Sequence, residues 1–470
     1  MKFIRKLSLL LCTLMVLQMF MIAACAEEDT QDISVTGGCR GIDSAVPYLS
    51  GFHYVENAQS VFLFESTTDT LMYGQNQDQQ LHPSGLVKIM TALVAIENGN
   101  LSDVVTAGES VIDSISSDAR TSKIQPDEIF TVEQLLYCVM VEGSNDGAAL
   151  LADHIAGSQE AFVKMMNDRA EQMGCTNTVF TNVHGLHDVS QLSTARDIAR
   201  ILDVAIENEM FRTLFGTTHY TIEKTNKSEE RNLESSNHML HEGMYEIYYD
   251  ERVTGGRTGV NNTGLRCIAT TSKQHDMELI CVVMGSESKI NDRGIVEQIG
   301  GFYETSQLLD IGFDGTRTAQ ILYEGQSVKQ CTVLNGSCDV VLGVAADAFS
   351  VVPQNATTAT FDYRYNDIEG AFTAPISKGQ VMSKLEIWNG NVCIAQADLY
   401  AMGDVDVNYQ QIIRDKNKGL SAWAIILIVI LVIMVGTTVA LYIVRFYNIR
   451  QRKAVRRSKR RTVRRQEREM

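Results

Sequence analysis

Proline is scarce in this chain, 5 of 470 residues, and tryptophan occurs twice. There is no internal repeat and no low-complexity tract, which excludes solenoids and proline-rich spacers. The ten cysteines are dispersed and no CxxC pair occurs, which argues against a zinc ribbon. Cys12 and Cys25 fall in the N-terminal leader. Of the others (Cys39, Cys138, Cys175, Cys267, Cys281, Cys331, Cys338 and Cys393), most are expected to be buried and unpaired. Cys331 and Cys338 flank Asn335-Gly336, a hairpin turn signal. If that turn is two residues long, they are diagonal neighbours roughly 7–8 Å apart, which is long for a disulfide.

Positive charge is lacking over most of the length. The net charge is −16. With +10 carried by the last 26 residues and +3 by the basic start, −29 remains for everything between. Such an acidic body makes nucleic acid an implausible partner.

Charge of either sign is absent from Ser421–Val444, 24 residues rich in Ile, Val and Leu. That length spans a hydrocarbon core of about 30 Å. The segment from Arg445 to Met470 holds 12 Lys and Arg against 2 Glu, a cytoplasmic-side signature. At the other end Lys2, Arg5 and Lys6 precede an apolar stretch ending at Ala24-Cys25-Ala26, a signal peptide cut before Glu27. Lipid attachment at Cys25 is the alternative. The expected organisation is a signal peptide (1–26), a linker (27–50), an α/β domain (51–312), a small all-β domain (313–402), a linker (403–420), a transmembrane helix (421–444) and a basic cytoplasmic tail (445–470).

Periodicity predicts a β-hairpin from Ser60 and helices over Leu86–Glu97, Thr131–Glu142, Asp146–Ala156, Ser158–Gly174 and Thr194–Asn208. Thr131 and Gln134 form a capping box. Strands are expected at Leu265–Thr271 and Leu279–Met284, and in the C-terminal part at Ala319–Tyr323, Val340–Gly343, Ala359–Tyr363, Gly379–Trp388 and Val392–Ala395.

Three clusters stand in order. The first is Pro83-Ser84-Gly85-Leu86-Val87-Lys88. The second is Gly143-Ser144-Asn145, and the third is Arg257-Thr258-Gly259. A Ser–Lys acyltransferase needs a hydroxyl three residues before the lysine, so that both share a helix face and the amine accepts the proton. It needs a second hydroxyl with an amide, and a cation–Thr–Gly strand for the substrate carboxylate. With Asn182–Asp188, Ser193–Asp197, Asn237–Leu240 and Ala374–Gly379, the set resembles the D-alanyl-D-alanine carboxypeptidases, the low-molecular-weight penicillin-binding proteins of peptidase family S11, over residues 50 to 402.

The resemblance implies a penicillin-binding-protein/β-lactamase-like α/β (α+β) domain followed by a small all-β domain. It implies the D-Ala-D-Ala end of peptidoglycan stem peptides as ligand, with no metal or organic cofactor. The departures lie at the hydroxyls. Glycine stands at position 85, where the family has its nucleophile, and at 143 in the second cluster. Arg257 replaces a lysine, while Lys88, Asn145, Thr258 and Gly259 match. Ser84 is either an N-cap of the Leu86 helix or a substitute nucleophile four residues before Lys88. Ser144 is a helix-start serine or a replacement hydroxyl. Lys88 without its serine reads as a buried lysine paired with a carboxylate or the Asn145 amide. His184 and His187 read as solvated loop residues rather than metal ligands.

Three functions follow as expectations: a non-catalytic cell-wall protein that binds stem peptide, an active carboxypeptidase using Ser84 with Lys88, or a scaffold or sensor. β-Lactam binds only if a serine nucleophile works.

Overall fold

The computed structural model describes residues 42–44, 48–49, 55–243, 247–357, 360–417 and 422–466. The expected signal peptide, with Cys12 and Cys25, lies outside the described residues, as do Cys39 and most of the 27–50 linker.

The hairpin strands β1 (Ser60–Glu65) and β2 (Thr70–Gln75) pair antiparallel and form one side of a five-stranded sheet. Its order is β2-β1-β9-β8-β7, with β7 at Val253–Val260, β8 at Arg266–Gln274 and β9 at Met277–Ser286. β1 reads as a continuous apolar run because it is covered on both faces. Side chains alternate along it. Phe62 and Phe64 join the helical core with Leu86, Ile89, Leu135 and Leu202. Val61 and Leu63 pack on the other face with Phe302, Leu308 and Phe313 of the helix Phe302–Gly315.

Helix α1 (Val87–Asn98) begins directly after a 3-10 turn at Ser84–Leu86 and ends at Gly99. The predicted capping box forms: Thr131 Oγ1 accepts from the Gln134 amide (3.1 Å), and Gln134 Oε1 accepts from the Thr131 amide (2.9 Å). It opens α2 (Val132–Tyr137), which continues as a π-helical turn over Cys138–Glu142. Helix α3 (Asn145–Ala156) follows, and Ser158 and Thr194 cap Gln159–Gln172 and Ala195–Ala205 through their side chains. Sequence periodicity missed the three-residue pair β3 (Val104–Thr106) and β4 (Ile129–Thr131), and the short hairpin of β5 (His219–Ile222) and β6 (Arg231–Glu234), which is polar and largely exposed.

Beyond the Phe302–Gly315 helix the chain is β-rich, with strands at Thr316–Leu322, Ser327–Cys331, Val340–Val344, Ala348–Pro353, Asp362–Asp367, Val381–Asn389 and Val392–Ala401. Two expectations are corrected here. The strand placed at 359–363 runs over Asp362–Asp367, where its register against Val381–Asn389 pairs Asp362 with Trp388 and Asp367 with Ser383; residues 358–359 lie outside the described residues. Asn335-Gly336 is no two-residue hairpin, because Leu334 bridges Thr373 and Gly336 bridges Val407, so tertiary pairing overrides the local turn signal. Cys331 is half-buried and Cys338 exposed, whereas Cys138, Cys175, Cys267, Cys281 and Cys393 are buried. Burial pushes the Cys138, Cys175 and Cys281 thiols up to about 12.

The chain divides into two compact units. One takes in residues up to 327 with 343–368 and 383–399; the other comprises 328–342, 369–382 and 400 onward. The second ends in a helix over Ala422–Gln466, whose Ile425–Lys453 stretch is long and apolar enough to cross a membrane. All three sequence clusters lie in the first unit.

Candidate active-site cleft

The 3-10 turn with α1, the N-terminus of α3, and β7 converge on a cleft of about 480 Å3, joined there by Arg120, His184 and Ser236. Lys88 is carried one position into α1 and is buried. Its Nζ donates to Asn145 Oδ1 (2.6 Å) and to the His184 carbonyl. Of the alternatives for Lys88, the Asn145 amide is the partner found. Burial holds the amine well below its ordinary range, and the nearby Arg257 and Arg120 cations add to the effect. An uncharged amine is the form a proton acceptor needs.

No hydroxyl stands before it at the expected place. A Cβ on Gly85 would lie 2.6 Å from the Thr258 carbonyl oxygen and 3.1 Å from the Gly259 Cα. β7 therefore packs against the turn at backbone distance. A Cβ on Gly259 would in turn lie 2.7 Å from the Gly85 Cα, so this approach requires glycine on both sides.

Ser84 is not the N-cap that the sequence allowed. The turn and α1 have no side-chain cap at their N-termini. With φ of +51°, Ser84 sits in the left-handed region, and its Oγ donates to the Val260 carbonyl (2.8 Å). Gly185 lies directly against the Ser84 carbonyl oxygen at a φ of +83°, leaving no room for a Cβ. Ser144 is the helix-start serine: buried, it caps α3 by accepting from the Gly147 amide (3.0 Å) and donates to the Asp146 carboxylate.

Arg257 fills the space beside Gly143. Gly143 ends the π-helical turn at φ +88°, and a Cβ there would collide with the Arg257 Nη2. Arg257 is buried, donates from Nη1 to the Met140 carbonyl (3.3 Å), and leaves Nε without a partner. Burial, with Arg120 close by, pushes its guanidinium down to about 9, still charged at neutral pH. Thr258 Oγ1 shares a 2.9 Å hydrogen bond with Ser236 Oγ.

His184 corrects the sequence reading. It is half-buried in the cleft wall, its Nδ1 accepting from the Leu186 amide (3.2 Å), while His187 is exposed and edge-packs on His82 at 4.7 Å. Burial and Lys88 push His184 down to about 4. The unfolded chain takes up this proton near 6.5 and the folded one only near 4, so stability is lost as pH falls through that window. We expect the pH slope of unfolding free energy between 6.5 and 4.5 to be shallower in His184→Gln, by up to about 1.4 kcal/mol per pH unit. Equal slopes would show that His184 does not titrate abnormally. Arg120, Ser236 and Arg266 also line the cleft. Arg120 reaches it from an irregular loop without a motif to mark it.

The cleft therefore combines a suppressed amine, an amide and several cations, with Asp118 the one carboxylate lining it among the described residues. It can hold a carboxylate-bearing peptide end. The chain matches the D-alanyl-D-alanine carboxypeptidase family over residues 53–288 and the penicillin-binding protein 5 C-terminal domain over 317–407. It is 29% identical to D-alanyl-D-alanine carboxypeptidase DacA of Haemophilus influenzae, over 74% of this chain and 85% of that one. It is also 29% identical to DacC of Escherichia coli, over 74% and 84%. Among solved structures, penicillin binding protein 5 from Haemophilus influenzae superposes with a TM-score of 0.60 at 28% identity, over 76% of this chain and all of that one. An α/β fold of this kind, a β-rich C-terminal part and the three clusters on one cleft have one consistent assignment: the chain belongs to the D-alanyl-D-alanine carboxypeptidase family, peptidase S11.

Proposed function

We propose that this protein is a cell-wall protein that binds the D-Ala-D-Ala end of peptidoglycan stem peptides in the family cleft without turning them over. The observation that carries this reading is the closure of β7 over Gly85, with a would-be Cβ only 2.6 Å from the Thr258 carbonyl. The family's nucleophile has lost both its side chain and the room for one. The binding groups persist: Arg257, Thr258 and Asn145 offer a cation, a hydroxyl and an amide to a peptide terminus.

By the same reading, residues 51–312 form the peptide-binding domain and 313–402 a spacer. The stretch 421–444 anchors the chain in the bacterial cell membrane after removal of the signal peptide, the main domains outside and the 445–470 tail in the cytoplasm. The apolar helix and its basic flank support this orientation.

The test is titration of the full-length chain in detergent with a soluble stem pentapeptide ending in D-Ala-D-Ala. Saturable binding is expected, weakened at least ~tenfold in Arg257→Ala and when the peptide's terminal carboxylate is amidated. Equal affinity for acid and amide, or no binding, would overturn the proposal.

A further inference from the structure

We propose that His219, Glu234 and His241 form a zinc site of two imidazoles and one carboxylate with a fourth position open to water. The three residues are separated by 15 and 7 positions, with no motif spacing between them. The fold brings one ligand atom from each within 4.8 Å of the others. His219 and Glu234 are direct cross-strand partners in the β5–β6 hairpin. Their Nε2 and Oε1 already stand 3.8 Å apart. His241 follows the 3-10 turn His238–Leu240 and meets the His219 ring edge-on, centroids 5.2 Å apart.

The orientation of His241 is the second observation. It is buried, and its Nε2 lies 2.7 Å from the Ser235 carbonyl. A carbonyl can only accept, so Nε2 carries the proton and Nδ1 keeps its lone pair. This is the outer-shell arrangement that fixes tautomer and ring in metal-bound histidines. Tetrahedral zinc with bonds of about 2.0–2.1 Å needs ligand atoms about 3.4 Å apart. The pairs must therefore close by at most about 1.4 Å, which the exposed His219 and Glu234 (side chains 65% and 46% accessible) can do by rotation. Two imidazoles and a carboxylate suit zinc better than calcium or magnesium, which take oxygen ligands.

Bound metal would tie β5 and β6 to the segment after them. That segment carries Ser236, which holds Thr258 at the cleft, so the site is placed to stiffen one rim of the peptide groove.

The experiment is zinc titration of chelator-treated full-length protein in detergent, read by calorimetry and by the thermal midpoint. One equivalent of Zn2+ is expected, with a rise in midpoint as ligand binds the folded form. His241 is buried, so its removal mixes folding with binding; the largely exposed His219 carries the test. His219→Ala and Glu234→Gln should each weaken zinc at least ~tenfold, whereas His275→Ala, an exposed histidine on the turn between β8 and β9, should change nothing. Absence of a one-equivalent site, or equal losses in His219→Ala and His275→Ala, would overturn the proposal.

Discussion

Incubated with a labelled penicillin, the full-length chain is expected to stay unlabelled, and Ser84→Ala to leave that blank result unchanged. Acylation needs an oxygen nucleophile within reach of a base. Position 85 has none, and the nearest serine points elsewhere: Ser84 Oγ donates to Val260 (2.8 Å) on β7, while Lys88 is occupied by Asn145 (2.6 Å) and the His184 carbonyl. Re-aiming Ser84 requires breaking its bond to Val260 and moving a turn that Gly185 clamps without a gap. Loss of a serine nucleophile costs on the order of 10^6 in rate, about 8 kcal/mol. Remaining carboxylate and amide contacts bind ground state and transition state alike and do not recover it.

Gly85→Ser alone is expected to leave labelling absent too, because its Cβ meets the Thr258 backbone rather than a flexible side chain. Labelling of the natural chain that disappears in Ser84→Ala would overturn the non-catalytic reading and establish Ser84 as the nucleophile.

Gly143→Ser is expected to be strongly destabilising by itself and substantially rescued by Arg257→Lys. The new residue would sit at φ +88°, a conformation that costs an L-residue roughly 1–2 kcal/mol. Its Cβ would also strike the Arg257 guanidinium in a buried site, and overpacking adds about 1–3 kcal/mol. The thermal midpoint of the domain should fall by about 4–20 °C. Lysine is slimmer at its end and frees the volume that the second guanidinium nitrogen fills. The double variant should recover about 1–2 kcal/mol relative to additivity, a coupling typical of touching residues. Strict additivity would mean that the glycine and the arginine were acquired independently of each other's space.

Much of the scaffold was legible before any coordinates. β1 shows as an apolar run and α1 as a helical period in the sequence, and Thr131 with Gln134, Ser158 and Thr194 announce helix starts because a cap is a local bond between near neighbours. The three clusters were legible as a resemblance, and they do meet at one cleft. His184 was misjudged because its Gly-Leu neighbours look like a solvated loop; the 3-10 turn and α1 pack directly against that loop, Gly185 on Ser84 and Lys88 and Thr91 on the His184 and Val183 carbonyls. The Asn335-Gly336 turn failed for a related reason, since Leu334 and Gly336 bond to chain 39 and 71 residues away.

By itself the sequence determined the apolar faces, the caps, the apolar C-terminal helix and the absence of a hydroxyl at positions 85 and 143. These depend on side-chain identity and on neighbours within about one helical turn. Only the tertiary structure decided that those absences are filled rather than open: β7 rests on Gly85, and Arg257 takes the place beside Gly143. It also decided that Ser84 faces Val260 and that two histidines and a glutamate share a corner. Such juxtapositions are set by how strands and helices pack across long sequence separations, where van der Waals contact, not residue type, fixes which atoms meet.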